Sequence, residues 1–202
     1  MFIQVIQGKV KDEPGLRRCM ERWDRDLAPG AVGYLGTTAG VCEDGTFIAL
    51  ARFESAEAAM RNSDRPAQGA WWAECAACFD GEVTFMDCPE ARPWLGGGSD
   101  EAGFVQIMAG RSTDVHRMHA IMDEAGEQVH KMRPEIIGAM FADTSDGRYV
   151  DAIYFTSESE AREHEAMDMP DDLRALFEEE MTLMGEVSYF DLHEPMLVSA
   201  RQ

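Results

Sequence analysis

The chain has 202 residues, 45% of them hydrophobic and 28% charged, which is an ordinary globular composition with room for one large domain or two small ones. Its 18 basic and 38 acidic residues leave a formal charge of −20, which speaks against nucleic acid and anionic membranes as partners, since both require a basic surface. No apolar run approaches the roughly 18 residues of a membrane span, and the opening MFIQVIQGKVKDE lacks the basic and apolar stretches of a signal peptide.

The first strand is expected over Phe2 to Gly8, where Phe2, Gln4 and Ile6 alternate with Ile3, Val5 and Gln7. From Glu13 to Ala28, Leu16, Cys19, Met20, Trp23 and Leu27 recur at helical spacing, and Pro29-Gly30 ends that helix. Tyr34 to Cys42 and Thr46 to Glu54 flank Asp44-Gly45, a hairpin signal. Ser55 caps a second helix, which is interrupted between Asn62 and Pro66 and resumes to Phe79. Val83 to Cys88 is the fourth strand. The order is βαββαβ, the ferredoxin-like unit. Residues 89–103, with Gly96-Gly97-Gly98-Ser99, read as a linker. Strands at 104–110, 136–143, 149–156 and 187–192, with helices at 114–132 and 159–184, then repeat the order; the last helix is broken near Pro170. The division is a first unit at 1–88, the linker at 89–103, a second unit at 104–193 and a tail at 194–202.

The two halves read as a duplication. Phe2-Ile-Gln4 recurs as Phe104-Val-Gln106, Asp44-Gly45 as Asp146-Gly147, and Phe53-x-Ser55 as Phe155-x-Ser157, each offset by 102. From Pro66, matched by Pro170, the offset is 104, so one two-residue insertion accounts for the register. Each unit leaves one sheet face bare, and that face needs a cover. The expected fold is α+β: two tandem ferredoxin-like repeats whose antiparallel sheets pack into one barrel. All five cysteines (Cys19, Cys42, Cys75, Cys78 and Cys88) fall in the first half and all five histidines (His116, His119, His130, His164 and His193) in the second. That segregation works against a Cys/His metal site within either half. The odd cysteine count predicts reduced thiols and a cytoplasmic location.

With this element order, Phe53-Glu54-Ser55 entering the second helix, then Arg61-Asn62-Ser63-Asp64 and Trp71-Trp72, the chain resembles the antibiotic biosynthesis monooxygenase (ABM)-like members of the dimeric α+β barrel superfamily, with the dimer fused into one chain. The resemblance spans both halves. It implies a superfamily of cofactor-free oxygenases of polyketide aromatics, heme-degrading monooxygenases, chlorite-dismutase-like proteins, lactone isomerases and ligand sensors, among which fold does not choose. In heme-degrading members an axial His follows the Asn of Asn-Ser-Asp by eight residues; here that position is Ala70, followed by Trp71. The matching stretch of the second repeat, Met167 to Leu176, has no His either, and His164 lies before the helix break. The resemblance therefore implies no heme ligated in the family manner, and no cofactor is expected.

The resemblance also places a ligand cavity between helices and sheet. Asn62 and Arg65 are the candidate catalytic groups there, with Trp71 and Trp72 as stacking walls for a planar substrate; the competing reading makes the tryptophans core. Tyr34, Arg52 and Tyr154, polar residues on central strands, are candidate ligand contacts, and Asp151 shares that description. Arg52 and Tyr154 occupy matched positions, so they line a pocket or pair with each other. Cys75-Ala-Ala-Cys78 lies within a helix rather than at its start, which favours packing over redox chemistry. No metal site is expected. His116, His119, Asp123, Glu127 and His130 share roughly an 80° arc of one helix, but Met118, Ile121, Met122 and Ala125 take the opposite face, so the arc reads as solvated. The methionines read as core filler and Glu178-Glu179-Glu180 as a solvated face. The function expected is a small-molecule monooxygenase acting on a planar apolar substrate without a tightly bound cofactor. The alternative is a non-catalytic ligand-binding or stress-associated protein, and the third is an atypical heme protein. The chain is expected to act as a monomeric pseudo-dimer or a homodimer.

Overall fold

The computed structural model describes residues 1–200, and the chain separates into two compact units: Met1–Glu90 together with residues 194–200, and Ala91–His193. In the first unit, β1 (Phe2–Val10) leads to α1 (Glu13–Arg22), which Asp12 caps by accepting from the Gly15 amide at 2.9 Å. The sequence predicts one helix through Ala28. Instead α1 passes into a π turn over Trp23–Leu27 and a 3₁₀ turn over Ala28–Gly30, and the wider turn buries both Trp23 and Leu27. β2 (Tyr34–Val41) and β3 (Thr46–Phe53) form a hairpin, with Gly45 at φ 79° in its turn. Ser55 caps α2 (Ala56–Ser63), α3 spans Pro66–Ala76, and β4 spans Phe79–Cys88.

The second unit follows the same plan. After β5 (Glu90–Trp94) come β6 (Phe104–Arg111), α4 (Val115–Met132, capped by Asp114), β7 (Ile136–Asp143), β8 (Arg148–Phe155), α5 (Glu158–Glu165, capped by Ser157), α6 (Asp171–Leu183) and β9 (Ser188–Leu192). The chain then returns to the first unit in β10 (Met196–Ser199). The ladders match: Phe2 opposes Phe53 as Phe104 opposes Phe155, and Gln4 bonds Asp87 at 2.9 Å as Gln106 bonds Asp191 at 2.8 Å. The class is α+β, with two ferredoxin-like units.

The strands form two five-stranded sheets among the described residues, ordered β10-β2-β3-β1-β4 and β5-β7-β8-β6-β9, with no closed barrel. Their outer members come from the segments that read as linker and tail. β5 carries Pro93, and β10 pairs antiparallel with β2. Both are edge strands, where proline and short length are tolerated, so neither leaves a strong alternating pattern. Residues 201–202 of the expected tail lie outside the described residues. Gly36, at φ 148° beside a register shift in β2, shows why glycine is needed at this edge: a Cβ there would collide with Arg52 and, at 2.6 Å, with the Val198 carbonyl. Among the described residues, no helix is long and apolar enough to cross a membrane.

Candidate functional site

Strand alternation decides what faces the helices. Phe47, Ala49, Ala51 and Phe53 of β3 point into the first unit's interior, with Gln4 and Ile6 of β1 beside them; Ile48, Leu50 and Arg52 point to the other face. Trp23 on the π turn, Asn62 and Ser63 at the end of α2, and Gln68, Trp71, Trp72 and Cys75 on α3 close the interior from above. They leave an inner cavity of about 70 Å³. An outer cavity of about 220 Å³ is lined by Arg17, Glu21, Asp24 and the β10 residues Met196 to Val198. Met20, Trp23, Tyr34 and Thr37 line both cavities.

The aromatic rings form a continuous array. Tyr34 meets Phe53 at 5.6 Å and Trp23 at 4.6 Å; Trp23 meets Trp71 at 6.3 Å, and Trp71 meets Trp72 at 5.9 Å. Their polar ends are held. Trp23 donates to Gln68 Oε1 at 2.7 Å, Trp71 to the Cys19 carbonyl at 2.8 Å, and Tyr34 to Thr37 Oγ1 at 2.8 Å. Trp71 is buried and anchored, whereas Trp72 is half-buried against the exposed Phe85. Trp71→Ala is expected to cost about 4 kcal/mol. Trp72→Ala is expected to cost less than half of that, as read from urea unfolding midpoints.

Asn62 is buried, and its orientation is settled by its neighbour. Arg65 Nη1 donates to Asn62 Oδ1 at 2.8 Å while Nη2 donates to the Leu27 carbonyl at 3.0 Å. Arginine has no acceptor to offer, so the amide oxygen must face it, which leaves Nδ2 as the donor of a residue that lines the cavity. Arg65 itself stands behind Asn62, outside the lining. Arg52 and Tyr154 face away from the helices, and Arg52 donates to Thr38 Oγ1 at 2.7 Å. Ala70 is exposed on α3, and burial pushes the Cys75 thiol up to about 12.

No protein-family model matches the sequence, and no curated protein matches it. Solved structures do match. A candidate monooxygenase from Lactobacillus acidophilus NCFM superposes with a TM-score of 0.75 at 11% identity, covering 98% of this chain and 96% of its own. An anthrone oxidase-like protein gives 0.67 at 9% identity, with coverage of 100% and 94%. A ferredoxin-fold protein related to antibiotic biosynthesis monooxygenases, from Listeria monocytogenes 4b F2365, gives 0.51 at 9% identity, with coverage of 100% and 96%. The fold is the ABM-like one. At such identities the likeness concerns the fold, and function has to be argued from the residues.

The second ABM-like unit carries different side chains at matched positions. Tyr149 and Asp151 stand where Phe47 and Ala49 line the first cavity, His164 where Asn62 does, and Ala175 and Leu176 where the two tryptophans do. His164 Nδ1 lies 2.5 Å from Glu135 Oε2, and Arg133 Nε donates to the other oxygen of that buried carboxylate at 2.5 Å. This arrangement joins the α4–β7 connection to α5, as Arg65 joins Leu27 to α2. No sequence signal marks Glu135, because its partner His164 comes from a separate element, α5. The expected histidine arc divides. Asp123 pairs with Arg92 at 2.9 Å and Glu127 with Lys131 at 2.6 Å on the surface, whereas His119 turns inward, its ring 5.0 Å from Phe141 and its Nε2 3.2 Å from Asp143. Among the described residues no three His, Cys, Asp or Glu side chains are grouped to hold a metal.

Proposed function

We propose that the first unit is an oxygenase site for a small, planar, apolar compound with an ionisable phenol or enol, working without heme. The observation that carries this reading is the Asn62 amide, held by Arg65 so that an N–H donor meets an aromatic-walled interior. Such a donor stabilises the oxyanion of an ionised substrate, and the carbanion form of that substrate is what reacts with O₂. For an anthrone, one substrate and one O₂ give one anthraquinone and one water. The ring C–H proton leaves to solvent, O₂ adds to the carbon that lost it, the peroxide anion takes a proton back from solvent, and the hydroperoxide loses water. The donor set supports the heme-free reading: Tyr34 is occupied by Thr37, the Cys75 thiol is held protonated, and Ala70 supplies no ligand.

The inner cavity, about 70 Å³, is far below the roughly 300 Å³ of a typical ligand pocket. A tricyclic ligand therefore requires the shared wall of Met20, Trp23, Tyr34 and Thr37 to move so that the two cavities join. The π turn under Trp23 is the element that would yield. The five cysteines, none of them in a disulfide among the described residues, fit a reducing, cytoplasmic setting.

The test is oxygen uptake with anthrone in a Clark-type cell, alongside tryptophan fluorescence. Quenching with uptake supports the oxygenase. Quenching without uptake supports a binding protein, a reading favoured by the lack of any Asp, Glu, His or Lys in the inner lining. Neither signal would sink both.

A further inference from the structure

The second unit buries a hydroxyl and a carboxylate oxygen that no described residue meets. Tyr149 is fully buried and its hydroxyl has no hydrogen-bond partner among the described residues; Asp151 is 9% exposed and its Oδ1 has none among them either. Both sit on the helix-facing side of β8, and Asp151 stands directly across the ladder from Phe141. The Tyr149 ring stacks on Phe141 at 5.7 Å and 8°, and Met118 and Met122 of α4 pack over the two rings. From α6, the half-buried Glu180 brings a second carboxyl whose field bears on both Asp151 and the Tyr149 hydroxyl.

Buried polar groups are almost always satisfied, and an orphaned pair in a native interior points to a partner bound there. A partner that donates hydrogen bonds suits the ionised form of Asp151, which only accepts. A cation suits it, since ionising Asp151 in this buried place, with the field of another acid bearing on it, calls for a compensating positive charge. The partner has to be small and apolar elsewhere, because the surroundings are an aromatic pair and pliable methionines, which favour organic cations through ring faces and adaptable packing. We propose that this interior is a binding site for a small aromatic ammonium ion, with its N–H groups on Asp151 and Glu180 and its ring among Phe141, Tyr149, Met118 and Met122. The formal charge of −20 draws cations to the chain. The first unit has Phe47 and Ala49 at the matched positions and shares none of this chemistry.

The probe is benzylammonium chloride, titrated calorimetrically into the full chain, with benzyl alcohol as the neutral isostere. Burial and the Glu180 charge push the Asp151 carboxyl up to about 7, so binding at pH 6 forces it to ionise and releases a proton. The expected results are saturable binding of the cation, a binding heat at pH 6 that varies with the ionisation enthalpy of the buffer, and no binding of the alcohol. Asp151→Asn is expected to weaken binding at least tenfold and to abolish the buffer dependence. Because the wild-type proton release needs no variant, a folding defect in Asp151→Asn leaves the test intact. Absence of binding at pH 8, equal binding of the alcohol, unchanged affinity in Asp151→Asn, or an ordered water alone beside Asp151 in a crystal soaked with the probe would each overturn the proposal.

Discussion

Asp151→Asn is expected to stabilise the protein at pH 8 and to leave it no more stable than wild type at pH 4. An aspartate ordinarily titrates at 3.8, and burial with the Glu180 charge raises Asp151 to about 7 in the fold. Below the lower value both folded and unfolded chains carry the proton, and folding costs nothing in ionisation. Between the two values the unfolded chain gives up its proton while the folded chain keeps it, so stability falls as pH rises. Above about 7 the loss is complete, and at about 1.4 kcal/mol per pKa unit it has an upper limit near 4 kcal/mol. Asparagine removes that ionisation but adds an amide needing partners, at about 1–2 kcal/mol. The net expectation at pH 8 is therefore a gain of about 2 kcal/mol. The measurement is urea unfolding of both proteins across pH 4 to 8. A wild-type-minus-variant difference that stays flat over that range would show that Asp151 is not desolvated.

Asp44 and Asp146 pull the other way at lower pH. At its hairpin, Asp44 accepts from Lys9 at 2.7 Å and from the Thr46 amide at 2.9 Å, which holds it down at about 2. Asp146 is held well below the carboxylate range by Thr144 and Arg148. Both folded-state values lie below the unfolded ones, so what they contribute is present above the ordinary value and lost as pH falls. They are exposed and screened, hence small. Subtracting the Asp151→Asn curve from the wild-type one removes them, since they are common to both proteins.

How much of this was legible from the sequence follows from how local each signal is. Phe2-Ile-Gln4, Asp44-Gly45 and Ser55 each specify their element through nearby residues, so strand, turn and cap could be read directly, and the second unit carries like signals at Phe104-Val-Gln106, Asp146-Gly147 and Ser157. β5 and β10 could not: Glu90–Trp94 and Met196–Ser199 are strands because β7 and β2 offer them an edge, and that edge is distant in sequence. The π turn at Trp23 was hidden for a similar reason. Helical periodicity places Trp23 and Leu27 on the buried face, but the widened turn is set by what packs there, including Gln68 on the Trp23 nitrogen. Asn62, Trp71, Trp72 and Tyr34 could be placed from the sequence on the elements that line the inner cavity. Arg52 and Tyr154 take the face away from the helices, one of the two placements that alternation alone leaves open. The direction of the Asn62 amide needed Arg65 in three dimensions.

That direction yields the last prediction. If Asn62 serves a substrate oxyanion through Nδ2, Asn62→Ala should lower anthrone turnover about a hundredfold, the usual cost of one oxyanion donor. KM should change little, because the donor acts on charge that develops during the reaction. Asn62→Asp is the sharper variant. Its carboxylate keeps the contact with Arg65 but offers only acceptors to the cavity, and it faces a developing negative charge. Its turnover should fall at least as far as that of the alanine variant, although the side chain is nearly isosteric and the brace is kept. Arg65→Ala leaves the amide in place but frees it to rotate, so its loss should be intermediate, roughly tenfold. The ordering Asn62→Asp at or below Asn62→Ala, with Arg65→Ala above both, belongs to a donor held in one orientation. A merely structural Asn62 would give the reverse, because aspartate preserves the pair with Arg65 and alanine removes it. Oxygen-uptake rates for the three variants, with Tm recorded for each, separate the two cases.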